Sequence, residues 1–264
     1  MELSNELKLS LVQSDIYWED IDRNLSMFEE KISSISSSDI IILPEMFTTG
    51  FTNNALEFAE EMGQKTCQWI LNLAKQKSSV ICGSAIIKEG DKIFNRFLWA
   101  EPNGEIKCYD KKHLFAMAGE DENYSAGTKK QIITYKDWKI NLQVCYDLRF
   151  PVWSRRIPNT EEDYDLIIYV ASWPVARVNA WSTLLKSRAI ENQSYCVGVN
   201  RVGTDGSGID YSGASVVIDS LGNEQAGSNP GKEKIIYASI NKKHLMKIRE
   251  KLPFHKDQDS FILT

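Results

Sequence analysis

The chain is poor in the residues that build metal sites and disulfide frameworks. Its three histidines, His113, His244 and His255, stand at no shared ligand spacing, so no metal is expected. Its five cysteines are odd in number and form no C-x-x-C pair, which excludes a secreted disulfide scaffold and suits reduced thiols in a cytoplasm. Positive charge is not in excess: 31 Lys and Arg face 36 Asp and Glu, for a net charge of −5. That balance argues against nucleic acid or an anionic membrane as the main partner. Long apolar runs are missing too. The longest, such as residues 166–171, fall far short of a membrane span. The segment 1–9 carries Glu2, Glu6 and Lys8 and lacks the apolar stretch of a signal peptide. Residues 203–208 (GTDGSG) are not a dinucleotide fingerprint and residues 227–233 (GSNPGKE) are not a phosphate loop, so no cofactor is expected. No repeat or low-complexity tract appears.

What remains is a globular chain of 264 residues, 42% hydrophobic and 25% charged. Residues 7–13 alternate apolar and polar, as a half-buried strand does. Residues 39–43 (DIIIL) and 166–171 (LIIYVA) are solid β-branched or apolar runs, as strands covered on both faces are. Further strands are expected at 79–88, 93–100, 106–109, 131–135, 139–144, 195–202, 212–219 and 235–240. Helical spacing marks 20–34, 55–76 in two pieces near Gly63, 179–193 and 242–251. Helical and strand patterns alternate, and hairpin turns are interspersed. An α/β fold follows, a four-layer α-β-β-α sandwich of two mixed sheets with outer helices. No linker divides the chain, so residues 1–264 are read as a single domain. The tail 253–264 carries Phe254, Phe261 and Ile262 as anchors for a partner subunit.

Three chemical groups stand just past expected strands, where loops of packed sheets converge. Cys145 follows INLQV, Glu45 ends DIIILPE, and Lys111 follows IKCYD. A thiol needs a base or a positive field to act as a nucleophile. A glutamate in so apolar a setting suits a general base, and a lysine beside a thiolate can hold an oxyanion. Each also has a plainer reading: a buried structural cysteine, a capping glutamate, a solvated Lys111-Lys112 pair. Cys67, Cys82, Cys108 and Cys196 fit the structural reading. Glu120 by itself reads as part of a solvated acidic loop. Trp173, after the 166–171 strand, lines a pocket or a rim.

Taken together, three motifs change the balance. They are Leu43-Pro44-Glu45-Met46-Phe47, Tyr109-Asp110-Lys111-Lys112-His113-Leu114-Phe115 and Cys145-Tyr146-Asp147-Leu148-Arg149-Phe150-Pro151. In this order and spacing the chain resembles the nitrilase superfamily of carbon–nitrogen hydrolases over almost its whole length. The resemblance implies Glu45 as general base, Lys111 as oxyanion stabiliser, Cys145 as nucleophile and Glu120 as a supporting carboxylate. It implies the backbone N–H of Tyr146 as a second oxyanion donor, and at least a homodimer. Phe47, Phe115 and Trp173 would then shape a small dry pocket, and Arg149 or Arg177 would meet a substrate carboxylate. Arg149-Phe150-Pro151-Val152-Trp153, Ser172-Trp173-Pro174 and Lys251-Leu252-Pro253-Phe254 are most similar to the bacterial omega-amidase branch. That branch implies a small-molecule 2-oxo acid amide of the 2-oxoglutaramate or 2-oxosuccinamate type, hydrolysed with water through a thioester. Val152 and Ser220 depart from the common pattern, which carries an acidic residue and a proline there. The same triad would serve an amidase for deaminated glutathione, a carbamoyl-amine hydrolase or a nitrilase. A binding module that kept the fold is the alternative of another class.

Overall fold

The computed structural model describes residues 5–262. Residues 1–4 of the N-terminal segment and 263–264 of the tail lie outside the described residues. In chain order the strands of the first half are β1 (Glu6–Gln13), β2 (Ile40–Ile42), the two-residue β3 (Glu60–Glu61), β4 (Val80–Glu89), β5 (Lys92–Ala100) and β6 (Ile106–Asp110). The second half has β7 (Ile132–Tyr135), β8 (Trp138–Val144), β9 (Leu166–Ala171), β10 (Tyr195–Asn200), β11 (Val202–Thr204), β12 (Asp210–Ser212), β13 (Val216–Ile218), β14 (Glu224–Gly227) and β15 (Lys234–Asn241). The helices are α1 (Ile21–Ser33), α2 (Ala55–Phe58), α3 (Lys65–Lys77), α4 (Glu120–Asn123), α5 (Val178–Asn192) and α6 (Lys242–Lys251).

The period-two pattern decides which face each side chain takes. Leu7, Leu9 and Leu11 of β1 enter the central core, while Val12 joins the outer one. In β2, Ile40 and Ile42 face the centre and Ile41 faces outward. In β9, Leu166, Ile168 and Val170 face the centre, and Ile167, Tyr169 and Ala171 face outward. In β2 and β9 both faces are covered, which is why these two strands read as unbroken apolar runs.

One sheet runs β15-β1-β2-β4-β5-β6, with β3 beside β4. The other runs β14-β13-β10-β9-β8-β7. Their inner faces meet around Trp99 and Trp138, both fully buried. Helices α1 and α3 cover the first sheet through Phe28, Ile32, Cys67 and Ile70. Helix α5 covers the second through Trp181, Leu185 and Ala189. The four layers are thus helix, sheet, sheet, helix. Among the described residues no helix is long and apolar enough to cross a membrane.

Two expected strands divide. The run 195–202 breaks at Arg201, whose fully buried side chain bonds Asp15 while Val202 N–H turns to the Ser14 carbonyl. The run 212–219 breaks at Gly213 and Ala214, whose φ of 73° and 57° are both left-handed. A side chain at Gly213 would collide with Gln13. The pieces freed by these breaks, β11 and β12, pair as a separate two-stranded ribbon. This ribbon becomes one wall of the cleft described next.

Candidate active site

Strand β8 ends at Val144, and Cys145 opens a 3-10 turn that runs to Arg149. Cys145 has φ 41°, a left-handed value that a non-glycine residue holds only under constraint. The constraint is the buried carboxylate of Asp147. It accepts the Val144 N–H at 3.1 Å within the turn. It also accepts the His113 N–H at 2.9 Å and the Tyr109 hydroxyl at 2.8 Å. One carboxylate therefore ties the Cys145 turn to the segment carrying Lys111. His113 stacks on Phe150 at 3.8 Å between centroids.

Glu45 leaves the end of β2 in a turn pinned to β4, with Met46 N–H donating to Ser84 Oγ at 2.9 Å. Its side chain is wholly buried. Oε1 accepts Lys111 Nζ at 3.0 Å and Asn95 Nδ2 at 2.8 Å. Oε2 accepts the Ser172 N–H at 2.7 Å, a bond from the other sheet. Lys111 also reaches both oxygens of Glu120 at 2.8 Å. Glu120 is not solvated: it opens α4 fully buried and accepts the Phe115 N–H at 2.6 Å. Glu45, Lys111 and Glu120 thus form one buried ionic cluster, and Cys145 faces it.

The loop bearing Glu120 is docked by Gly127, whose N–H donates to the Lys111 carbonyl at 2.8 Å. A Cβ at Gly127 would fall on the Asp110 carbonyl, so only glycine fits. Gly127→Ala is expected to cost about 1–3 kcal/mol, as overpacking does, and to lower activity by loosening Glu120. Thermal melts and steady-state rates of that variant check it.

Burial sets the protonation states. It pushes the Cys145 thiol well up, and the Glu45 charge adds to this, while Lys111 pulls the other way. Cys145 therefore rests as a thiol and needs a proton acceptor to react. Burial also raises Glu120 from its ordinary value; Lys111 opposes this and Glu45 adds to it. Burial alone would lower Lys111, but Glu120 and Glu45 overcome it and hold the ammonium charged.

The thiol opens into a cleft walled by Phe51, Phe115, Tyr146 and Trp173, with Ile209 and Tyr211 supplied by the ribbon. Arg149 lies over the Trp173 ring at 4.9 Å and Arg177 over Phe115 at 5.2 Å. Both line the cleft, and neither guanidinium has a carboxylate partner among the described residues. Phe47 does not line it. The Met46 turn, with φ 43°, sends Phe47 backward into the outer core against Phe28 and Trp69, each at 5.8 Å. Sequence reasoning also missed Asn95 and the ribbon. The signal for Asn95 was its parity: in β5 it shares the inward face of Phe97 and Trp99 and is the polar exception there.

A thiol thus faces a buried carboxylate–ammonium cluster at the rim of two packed sheets in an α-β-β-α fold. The family model for carbon–nitrogen hydrolase matches residues 8–250, and the chain belongs to that family. It is 45% identical to an omega-amidase, YafV, of Yersinia enterocolitica, over 97% of this chain and 98% of the relative. It is 31% identical to a 2-oxoglutaramate amidase of Bacillus subtilis, over 94% of this chain and 96% of that one. A solved structure, XC1258 from Xanthomonas campestris, a CN-hydrolase superfamily protein with an arsenic adduct in its active site, aligns with a TM-score of 0.96. It is 41% identical, and the match covers 98% of this chain and 99% of that one.

Proposed function

We propose that this chain hydrolyses the omega-amide of a small 2-oxo acid, of the 2-oxoglutaramate or 2-oxosuccinamate type, to the dicarboxylate and ammonia. The observation that carries the reading is the Cys145 thiol facing the buried Glu45–Lys111–Glu120 cluster at the base of an arginine-bearing cleft. Glu45 takes the thiol proton as Cys145 sulfur attacks the amide carbon. Lys111 Nζ reaches Glu45 and both oxygens of Glu120, and the developing oxyanion takes one of its three N–H groups from a Glu120 oxygen, with the Tyr146 backbone N–H beside it. Protonated Glu45 then gives its proton to the leaving nitrogen, and ammonia departs as the carbon–nitrogen bond breaks. The resulting thioester is attacked by water, whose proton goes to Glu45. The carbon–sulfur bond breaks, the acid leaves, and the proton returns to the thiolate. Glu120 holds Lys111 through both carboxylate oxygens.

The substrate's 1-carboxylate meets Arg149 or Arg177, which no carboxylate among the described residues neutralises. The small size of a 2-oxo acid amide suits the aromatic walls of Phe115 and Trp173. A binding module would gain nothing from three buried charges, whose desolvation is costly. The exposed apolar tail residues Phe254 and Ile262 fit a homodimer contact, and the free thiols fit a reducing cytoplasm.

The test is ammonia release from 2-oxoglutaramate, 2-oxosuccinamate, glutamine, asparagine, a nitrile and a carbamoyl amine. The two 2-oxo acid amides are expected to lead in kcat/KM, and a preference for the nitrile or the carbamoyl amine would overturn the reading. Arg149→Gln and Arg177→Gln are each to be measured on the best substrate. At least one should raise KM about tenfold or more with a smaller change in kcat, as loss of uniform binding does.

A further inference from the structure

Asn95 is buried without exposure in the middle of β5, on the inward face. Its Nδ2 donates to Glu45 Oε1 at 2.8 Å and to Glu120 Oε1 at 3.3 Å, so one amide bridges both carboxylates. Its Oδ1 is buried and has no hydrogen-bond partner among the described residues. An unsatisfied buried carbonyl is a cost to the fold. A leucine of similar shape would avoid that cost, so stability alone does not account for an asparagine here. The orientation matters as well. Turned over, the amide would set its oxygen against two carboxylate oxygens; as placed, it offers a hydrogen to each.

We infer that Asn95 is a positioning residue for this site: its amide holds Glu45 and Glu120 together as acceptors and sets the pH at which the pair can take the thiol proton. A donor bonded to a carboxylate favours the charged form, so it keeps the pair able to accept a proton at lower pH. The groups around the pair are Lys111 from the end of β6, Cys145 from the turn after β8, Tyr124 after α4 and Tyr211 of the ribbon. Of these, Lys111 alone is a cation, and it already serves both carboxylates. Asn95 is the neutral donor that they share. The backbone carbonyl of Asn95 adds a second tie by accepting the Lys111 N–H at 3.0 Å. That tie survives any side-chain substitution.

The inference rests on Glu45 acting as the base, and two variants test it. Asn95→Leu keeps the shape without the amide, and Asn95→Ser shortens the side chain where leucine does not fit. In each, the acid limb of the kcat/KM profile is expected to move about one pH unit upward, the loss of a charge-assisted hydrogen bond. On the acid side of the limb kcat should fall about tenfold with KM within about twofold, while the rate on the plateau and the melting temperature stay near those of the wild type. An unshifted acid limb in a folded variant would overturn the inference, and so would failure of both variants to fold, which would make Asn95 a structural residue. The pH dependence of Cys145 alkylation by iodoacetamide, read by peptide mass, gives the same limb without any substrate. If the wild type hydrolyses no amide in the panel, the functional reading fails while alkylation still decides the role of Asn95.

Discussion

Cys145→Ala is expected to fold like the wild type and to lose at least about 10⁴-fold in amide hydrolysis. The loss is large because the proposed mechanism has no second nucleophile. The other four cysteines sit in α3, β4, β6 and β10, away from the cleft, as free thiols. Burial lifts Cys82 and Cys196 as it lifts Cys145, with Cys196 above the ordinary thiol range; for Cys82 burial acts alone, and the charges near Cys196 are the Arg188–Glu191 pair of α5. The fold should tolerate the change. Only a sulfur is removed, and alanine meets the same left-handed φ that Cys145 already accepts, so the cost should stay within about 1 kcal/mol. Acid-quenched wild type mixed with a good substrate should carry an acyl mass on the Cys145 peptide, and the variant should carry none. Hydrolysis at the wild-type rate by Cys145→Ala would remove the thioester mechanism altogether.

Much of this fold was legible because two-sided burial writes itself as plain apolar runs. DIIIL and LIIYVA became β2 and β9, and the alternation of Leu7, Leu9 and Leu11 gave the inner face of β1. The breaks were not legible. Nothing at Ala214 announces a left-handed residue, and the buried guanidinium of Arg201 ends β10 through partners far away in sequence. Short elements made by such long-range bonds leave no periodic trace. The same limit governs the site. Motif spacing pointed to Glu45, Lys111, Cys145 and Glu120, whose side chains do converge on one cluster apart from the thiol that faces it. Phe47 shows how adjacency misleads: it lies two residues from Glu45, but the turn at Met46 puts the two on opposite sides of the sheet edge. Asn95 shows the reverse, a residue fifty positions from Glu45 that touches it directly.

Lys111→Met separates what the ammonium does for the fold from what it does for the reaction. The substitution leaves Glu45 and Glu120 buried with no cation between them. Breaking a buried ion pair in this way costs about 3–5 kcal/mol at neutral pH. One carboxylate will then hold a proton. Glu120 already binds its proton more tightly folded than unfolded, and Lys111 is the charge that restrains this, so its removal moves Glu120 further up. A group whose folded value lies above its unfolded value adds stability below the unfolded value and loses it as pH rises through the folded one. The melting-temperature gap between Lys111→Met and wild type should therefore narrow toward pH 5 and widen toward pH 8. Activity should behave differently. Losing an oxyanion donor costs about 10²–10³-fold in kcat, and protonating a glutamate returns no donor aimed at the substrate oxygen. At pH 5, compared with wild type at the same pH, the variant should recover stability but not rate. A gap that ignores pH would mean that the carboxylates gain no proton when the lysine leaves. Recovery of rate in step with stability would confine Lys111 to holding the cluster together.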